Sequence, residues 1–164
     1  LRQLKNNLTA GPLSATAQEA VAAVLSPAEQ ALFARLSFAD QWHSVRVLGD
    51  LRGAGYNDPD LLAAALLHDV GKTRYPLTAW DRTVIVVGAA LIPRWAAQWG
   101  AGPAEGWRRP FVVRARHPAW GADMAAATGA RVAVVDLIRR HADKPGGAAG
   151  DEALRALQWA DDQN

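Results

Sequence analysis

Apolar residues recur along this chain at spacings of three and four and almost nowhere alternate, which is the period of helices with one buried face and not of strands. The expectation is an all-α fold, a single bundle of about six to eight helices. A first helix reads from Ser14 to Leu25. A second starts at Ser26-Pro27-Ala28-Glu29, where serine can cap, proline can take the first helical position and glutamate can close a capping box. Ser37 to Asp40 offers a similar restart, and the helix it opens carries Trp42, Val45, Val47, Leu48 and Leu51 until Gly53 and Gly55 stop it.

Asn57-Asp58-Pro59 is a cap and first-turn signal for the wholly apolar run Leu61 to Leu67, which reads as a buried helix closing near Gly71. From Thr78 to Trp99 the pattern continues as helix, interrupted at Pro93, and Gly100 to Gly106 reads as a loop. A short helix is expected from Pro110 to Arg116. Because a proline biases its predecessor away from the α region, His117 should sit just before a separate helix running from Pro118 to Thr128. Another helix is expected from Ala130 to His141, then a Gly-, Pro- and Ala-rich loop from Asp143 to Gly150, and a last helix from Asp151 that delivers Asp161. No repeat or long linker divides the chain. Residues 1–37 read as N-terminal helices packing on a core made by residues 38–164.

At 164 residues and 50% hydrophobic, the chain can bury one sizeable core. It has no cysteine, so disulfides and thiolate-ligated metals are excluded and any metal site must use nitrogen and oxygen. The uncharged stretch Thr83 to Pro93 falls well short of the ~20 apolar residues of a spanning helix. It reads as a core helix, and no membrane partner is expected. No basic segment followed by an apolar one and a cleavage site is seen at the amino end, so a cytoplasmic protein is expected. With 18 Lys and Arg against 16 Asp and Glu, the net charge of +2 is nearly balanced. The small clusters Arg108-Arg109, Arg114 with Arg116, and Arg139-Arg140 read as solvated faces, and a nucleic-acid partner is not expected.

The candidate chemistry lies in the four histidines, at 43, 68, 117 and 141. His68-Asp69 ends the apolar helix, where burying a carboxylate beside an imidazole costs several kcal/mol unless a cation neutralises it. That cation could be a metal ion, or Lys72 or an arginine in a salt bridge. Imidazole and carboxylate donors without thiolate suit Fe, Mn, Zn, Ni, Co or Mg alike. Gly71-Lys72-Thr73 is not a phosphate loop, because Leu66 stands where such a loop needs glycine. Ser44 beside His43 has no nucleophile-elbow context.

Leu66-Leu67-His68-Asp69-Val70-Gly71-Lys72 resembles the signature of the HD superfamily of metal-dependent phosphohydrolases. Upstream, Trp42-His43-Ser44-Val45-Arg46-Val47 resembles the motif supplying that family's first histidine, and Trp159-Ala160-Asp161-Asp162 the one supplying its last aspartate. Between them, His117-Pro118-Ala119-Trp120-Gly121-Ala122 and Ile138-Arg139-Arg140-His141 resemble the two extra histidine motifs of members that hold two metals. The resemblance implies one or two divalent metals, the first on His43, His68, Asp69 and Asp161, the second on Asp69, His117 and His141. Asp161 is preferred over Asp162, which points about 100° away on a helix.

It further implies hydrolysis of a phosphate ester or anhydride of a nucleotide or small phosphorylated metabolite, with Asp69, Lys72 and Arg46 in catalytic roles. Lys72 follows the His-Asp pair by three residues and Arg46 lies near one turn beyond His43, so both could meet a phosphate; surface charge, or a salt bridge to Asp69, is the plainer reading of each. Two other functions share the resemblance: a mixed-valence di-iron oxygenase of the same type, and a non-catalytic sensor domain binding metal or nucleotide. Trp42 and Trp120 flank the candidate ligands and could pack in the core or stack on a base.

Overall fold

The computed structural model describes residues 11–75, 78, 80, 81, 84, 85, 87, 91, 93–143 and 151–164. Among them the chain forms eight α-helices and two short 3₁₀ turns, with no strand. Side-chain caps set most of the starts. Helix α1, Ala15–Ala22, begins where the Ser14 hydroxyl accepts from the Ala17 N–H. Helix α2, Pro27–Phe33, opens with a full capping box, the Glu29 carboxylate accepting from the Ser26 N–H at 2.8 Å. Ser37 caps α3, Phe38–Gly53, and the Asp58 carboxylate accepts from two N–H groups at the head of α4, Pro59–Leu67.

A 3₁₀ turn, Val70–Arg74, follows α4. Then come α5, Pro93–Gly100, a second 3₁₀ turn, Gly106–Arg108, and the long α6, Arg109–Ala127. Helices α7, Val132–Arg140, and α8, Glu152–Asp162, complete the chain, with Asp151 capping α8.

Helix α4 is the axis of the fold. Every residue from Leu61 to Leu67 is buried, as a helix apolar on all sides must be, and α2, α3, α7 and α8 surround it. Leu25, Phe33 and Leu36 from the amino-terminal segment join one continuous apolar cluster with Leu48, Leu66 and Leu157. Helix α6 lies on the far side, packed on α5, α7 and the 3₁₀ turn after α4. That last contact is backbone on backbone. A Cβ at Gly71 would stand 1.9 Å from the His117 carbonyl oxygen and 2.6 Å from the Gly121 N, so only glycine lets the turn approach α6 this closely.

Two expectations are corrected. Residues 109–127 form one helix, with His117 and Pro118 in its interior and not at a break. Pro118 has no N–H to give the Arg114 carbonyl, but that oxygen accepts from His117 Nδ1 at 2.9 Å instead, and burial of both residues holds the helix together. In the stretch Thr83 to Pro93, expected as a core helix, the described Val87 and Leu91 are exposed instead of buried, and Val84 and Ile85 are half-buried. The expected loop after Asp143 and much of the expected helix before Pro93 lie outside the described residues.

Candidate metal centre

Four helix ends and one helix interior converge at the centre. His43 stands in the second turn of α3, His68 and Asp69 just past α4, His117 midway along α6, His141 at the end of α7, and Asp161 in the last turn of α8. His68, Asp69, His117 and His141 are all buried, while His43 and Asp161 lie at the rim.

The backbone fixes three of the rings. A carbonyl oxygen can only accept, so the Nδ1 of His68 donates to Ala65 O at 2.9 Å, that of His141 to Ile138 O at 2.7 Å, and that of His117 to Arg114 O at 2.9 Å. Each ring then presents Nε2 inward. His117 Nε2 and His141 Nε2 stand 3.2 Å apart, and His43 Nε2 and His68 Nε2 3.3 Å apart. Two lone pairs at that distance repel unless a cation or proton lies between them.

Asp69 joins the two pairs. Its Oδ2 lies 3.6 Å from His68 Nε2 and 3.9 Å from His43 Nε2, while its Oδ1 lies 3.4 Å from His117 Nε2. Asp161 Oδ1 completes the first group, 2.9 Å from His43 Nε2 and 3.5 Å from His68 Nε2. Asp162 is exposed. Two sets of ligand atoms, His43 with His68 and Asp69, and Asp69 with His117 and His141, are each compact enough to hold a metal ion. With nitrogen and oxygen donors only, the set suits a divalent first-row metal.

The electrostatics favour cation binding. Burial raises the Asp69 pKa, but Lys72, His68 and His117 outweigh it and hold the carboxyl well below its ordinary range. Burial pulls in the same direction at Asp161 and is overcome by hydrogen bonds with His43 and His68, so this group too stays ionised. At His141, burial and the neighbouring His68 and His117 push the pKa down to about 3, keeping the ring neutral with its lone pair free. His68 moves the other way. Burial disfavours its charge, yet Asp69 and Asp161 together raise its pKa.

Lys72 Nζ pairs with Asp69 Oδ2 at 2.5 Å. Arg46 is directed instead to Asn164, its Nε donating to Oδ1 at 3.1 Å. Asn164 in turn donates to Asp50 Oδ2 at 2.6 Å and to Ala160 O at 3.0 Å, clasping the end of α8 to α3 and setting Asp161 beside His43. Nothing in the local sequence around Asn164 signals that role. Ser44 is fully buried and is no nucleophile. Trp42 packs on the core with its Nε1 donating to Gly11 O, and Trp120 lies against Tyr75 and under the Arg74 guanidinium.

The sequence model of the HD domain matches residues 42–162, most of the chain and all six side chains of the cluster. The chain belongs to the HD domain family. An HD domain places it generally among metal-dependent phosphohydrolases, which bind divalent metals, and the cluster built here is where such a domain would hold them. No curated protein and no solved structure matches the chain.

Proposed function

We propose that this HD domain hydrolyses a phosphate ester or anhydride of a nucleotide or small phosphorylated metabolite, using two divalent metal positions that share Asp69. The supporting observation is the split carboxylate, one Asp69 oxygen facing His43 and His68 and the other facing His117. His43, His68, Asp69 and Asp161 would hold one ion, and Asp69, His117 and His141 the other. Bound metal would bring the pKa of water toward neutrality and offset charge on a phosphoryl oxygen.

The chain's own residues do the positioning. The backbone carbonyls under His68, His117 and His141 lock the rings so that Nε2 faces the centre. Lys72 supplies Asp69 with a counter-charge, and being partly exposed it would have room to turn to a substrate phosphate. Arg46, held by Asn164 near the mouth of the first group, offers a second cation to that phosphate. In this reading residues 38–164 carry the whole centre, and the helices within 1–37 serve as packing.

Elemental analysis of the purified protein comes first, followed by phosphate release from nucleotides and generic phosphoesters with Mn, Fe, Ni or Mg added. Metal-dependent release without oxygen, lost in His68→Ala and Asp69→Asn together with the bound metal, is the expected result. Oxygen consumption by an iron-loaded protein that releases no phosphate would replace hydrolysis with the oxygenase reading. Nucleotide binding that survives both substitutions, with no turnover in the parent, would leave a sensor domain.

A further inference from the structure

Among the described residues, most of the exposed large apolar side chains gather in one part of the chain. Trp80 and Leu91 are 74% and 75% exposed, and Val87, Trp95 and Trp107 are also exposed. They share a neighbourhood through contacts that can be followed. Asp81, next to Trp80, pairs with Arg109 at 3.4 Å. Two residues before Arg109, the Trp107 ring meets Trp99 edge-on at 4.8 Å, and Trp99 in turn lies 6.3 Å from Trp95. An exposed patch of this kind on a folded domain marks something that covers it.

Charge indicates what. Residues 74–116 hold seven arginines against Asp81 and Glu105, a net +5 in a chain whose total is +2, so the remainder is acidic. Arg94, Arg108, Arg114 and Arg116 are exposed, with Arg108 lying over the Trp107 ring. Along the sequence, the uncharged stretch Thr83 to Pro93 is bracketed by Trp80, Asp81 and Arg82 on one side and Arg94 and Trp95 on the other, and Asp81 is already paired with Arg109. Exposed aliphatics beside indoles and guanidiniums match the layers of a bilayer interface: Val87 and Leu91 suit acyl chains, Trp80 and Trp95 the headgroups, and Arg94 and Arg108 the phosphates. Exposed aliphatics such as Val87 and Leu91 would gain nothing from the stacking that nucleic acid offers. No described helix is long and apolar enough to cross a membrane.

We propose that the face carrying Trp80, Leu91, Trp95 and Trp107, with Arg94 and Arg108 at its border, docks this domain peripherally on an anionic lipid bilayer. The earlier expectation of no membrane partner rested on the length of the apolar stretch, and length speaks to spanning, not to surface binding. The docking does not depend on the hydrolytic reading.

The test is flotation of the full chain with vesicles of phosphatidylcholine alone, or of equal parts phosphatidylcholine and phosphatidylglycerol. Brominated acyl chains in the same vesicles report tryptophan insertion by quenching. Flotation with the anionic vesicles only, weakened by salt and accompanied by quenching, is expected. Each arginine near such a surface is worth about fivefold in partitioning, so Arg94→Gln with Arg108→Gln should lose roughly 25-fold. Trp80→Ser with Leu91→Ser should weaken flotation and reduce the quenching while helical circular dichroism stays unchanged. No flotation with either vesicle, or flotation that neither pair of substitutions alters, overturns the proposal. So does self-association that Trp80→Ser with Leu91→Ser abolishes, or retention on single-stranded nucleic acid without retention on vesicles.

Discussion

Replacing Gly71 by alanine tests whether the approach of the 3₁₀ turn to α6 assembles the centre. Gly71 does not have a positive φ, so alanine suits its backbone and any cost must come from space. The new Cβ would meet the His117 carbonyl oxygen at 1.9 Å, and both partners are backbone, so no side chain can rotate away. Restoring an ordinary contact of about 3.2 Å requires the turn and α6 to part by roughly 1.3 Å. Overpacking of this kind costs about 1–3 kcal/mol, and the rigid partners put this case at the upper end.

In a chain of this length, ~3 kcal/mol corresponds to a fall in Tm of about 6–12 °C. The same parting lengthens the 3.4 Å gap between Asp69 Oδ1 and His117 Nε2, so the proposed metal position on His117 and His141 should be lost before the proposed one on His43, His68 and Asp161. Thermal unfolding of metal-free protein, with metal stoichiometry measured at a temperature where the variant is still folded, reads both effects. Gly49→Ala is the control, since a Cβ there meets nothing within 4 Å and the position is helical, so stability should hold or rise by up to ~1 kcal/mol. A Gly71→Ala protein with the parent's Tm and metal content would show that the close approach is not what assembles the site.

Pro118→Ala should separate stability from metal binding. The ~3 kcal/mol released by removing a helix-interior proline is largely offset by ~2 kcal/mol of lost ring burial. Unfolding should therefore shift by about 1 kcal/mol or less, while the new N–H competes with His117 Nδ1 for Arg114 O and weakens binding at the proposed metal position on His117 and His141; titration calorimetry showing unchanged affinity would refute this. Asn164→Ala removes the clasp on Arg46 and Asp50 and should weaken the metal position that uses Asp161, measured by competition with a chelating dye, at a stability cost of about 1 kcal/mol. Asp151→Ala should cost about 1 kcal/mol at neutral pH through loss of the α8 cap. The Leu154 N–H and Arg140 hold the Asp151 pKa below its unfolded value. Its contribution is thus complete above the unfolded pKa of about 3.9 and fades as pH falls through the folded one, so the denaturation midpoints of parent and variant should converge in acid.

Most helix starts were legible because capping is local. Ser14, Ser26, Ser37, Asp58 and Asp151 each act on N–H groups two or three residues away, and their caps form where the residue pattern places them. Burial of Leu61 to Leu67 was legible too, since a helix with no polar side has nowhere else to go. Local rules misled at Pro118, where the bias against helix at His117 was overridden by burial and by a side-chain donor taking the place of the missing N–H. They also misled at Val87 and Leu91, because hydrophobicity states a preference for leaving water without naming the surface that receives it.

The chain by itself determined its helices, its donor chemistry and the order of the motifs, since each of these follows from residue type and near-neighbour geometry. Which of Asp161 and Asp162 turns inward, that Asp69 faces both histidine pairs, and that Asn164 pins α8 to α3 were decided only by packing. Those contacts join residues from 48 to 118 positions apart, and such distances close only when α4 is buried among its neighbours and Gly71 admits α6.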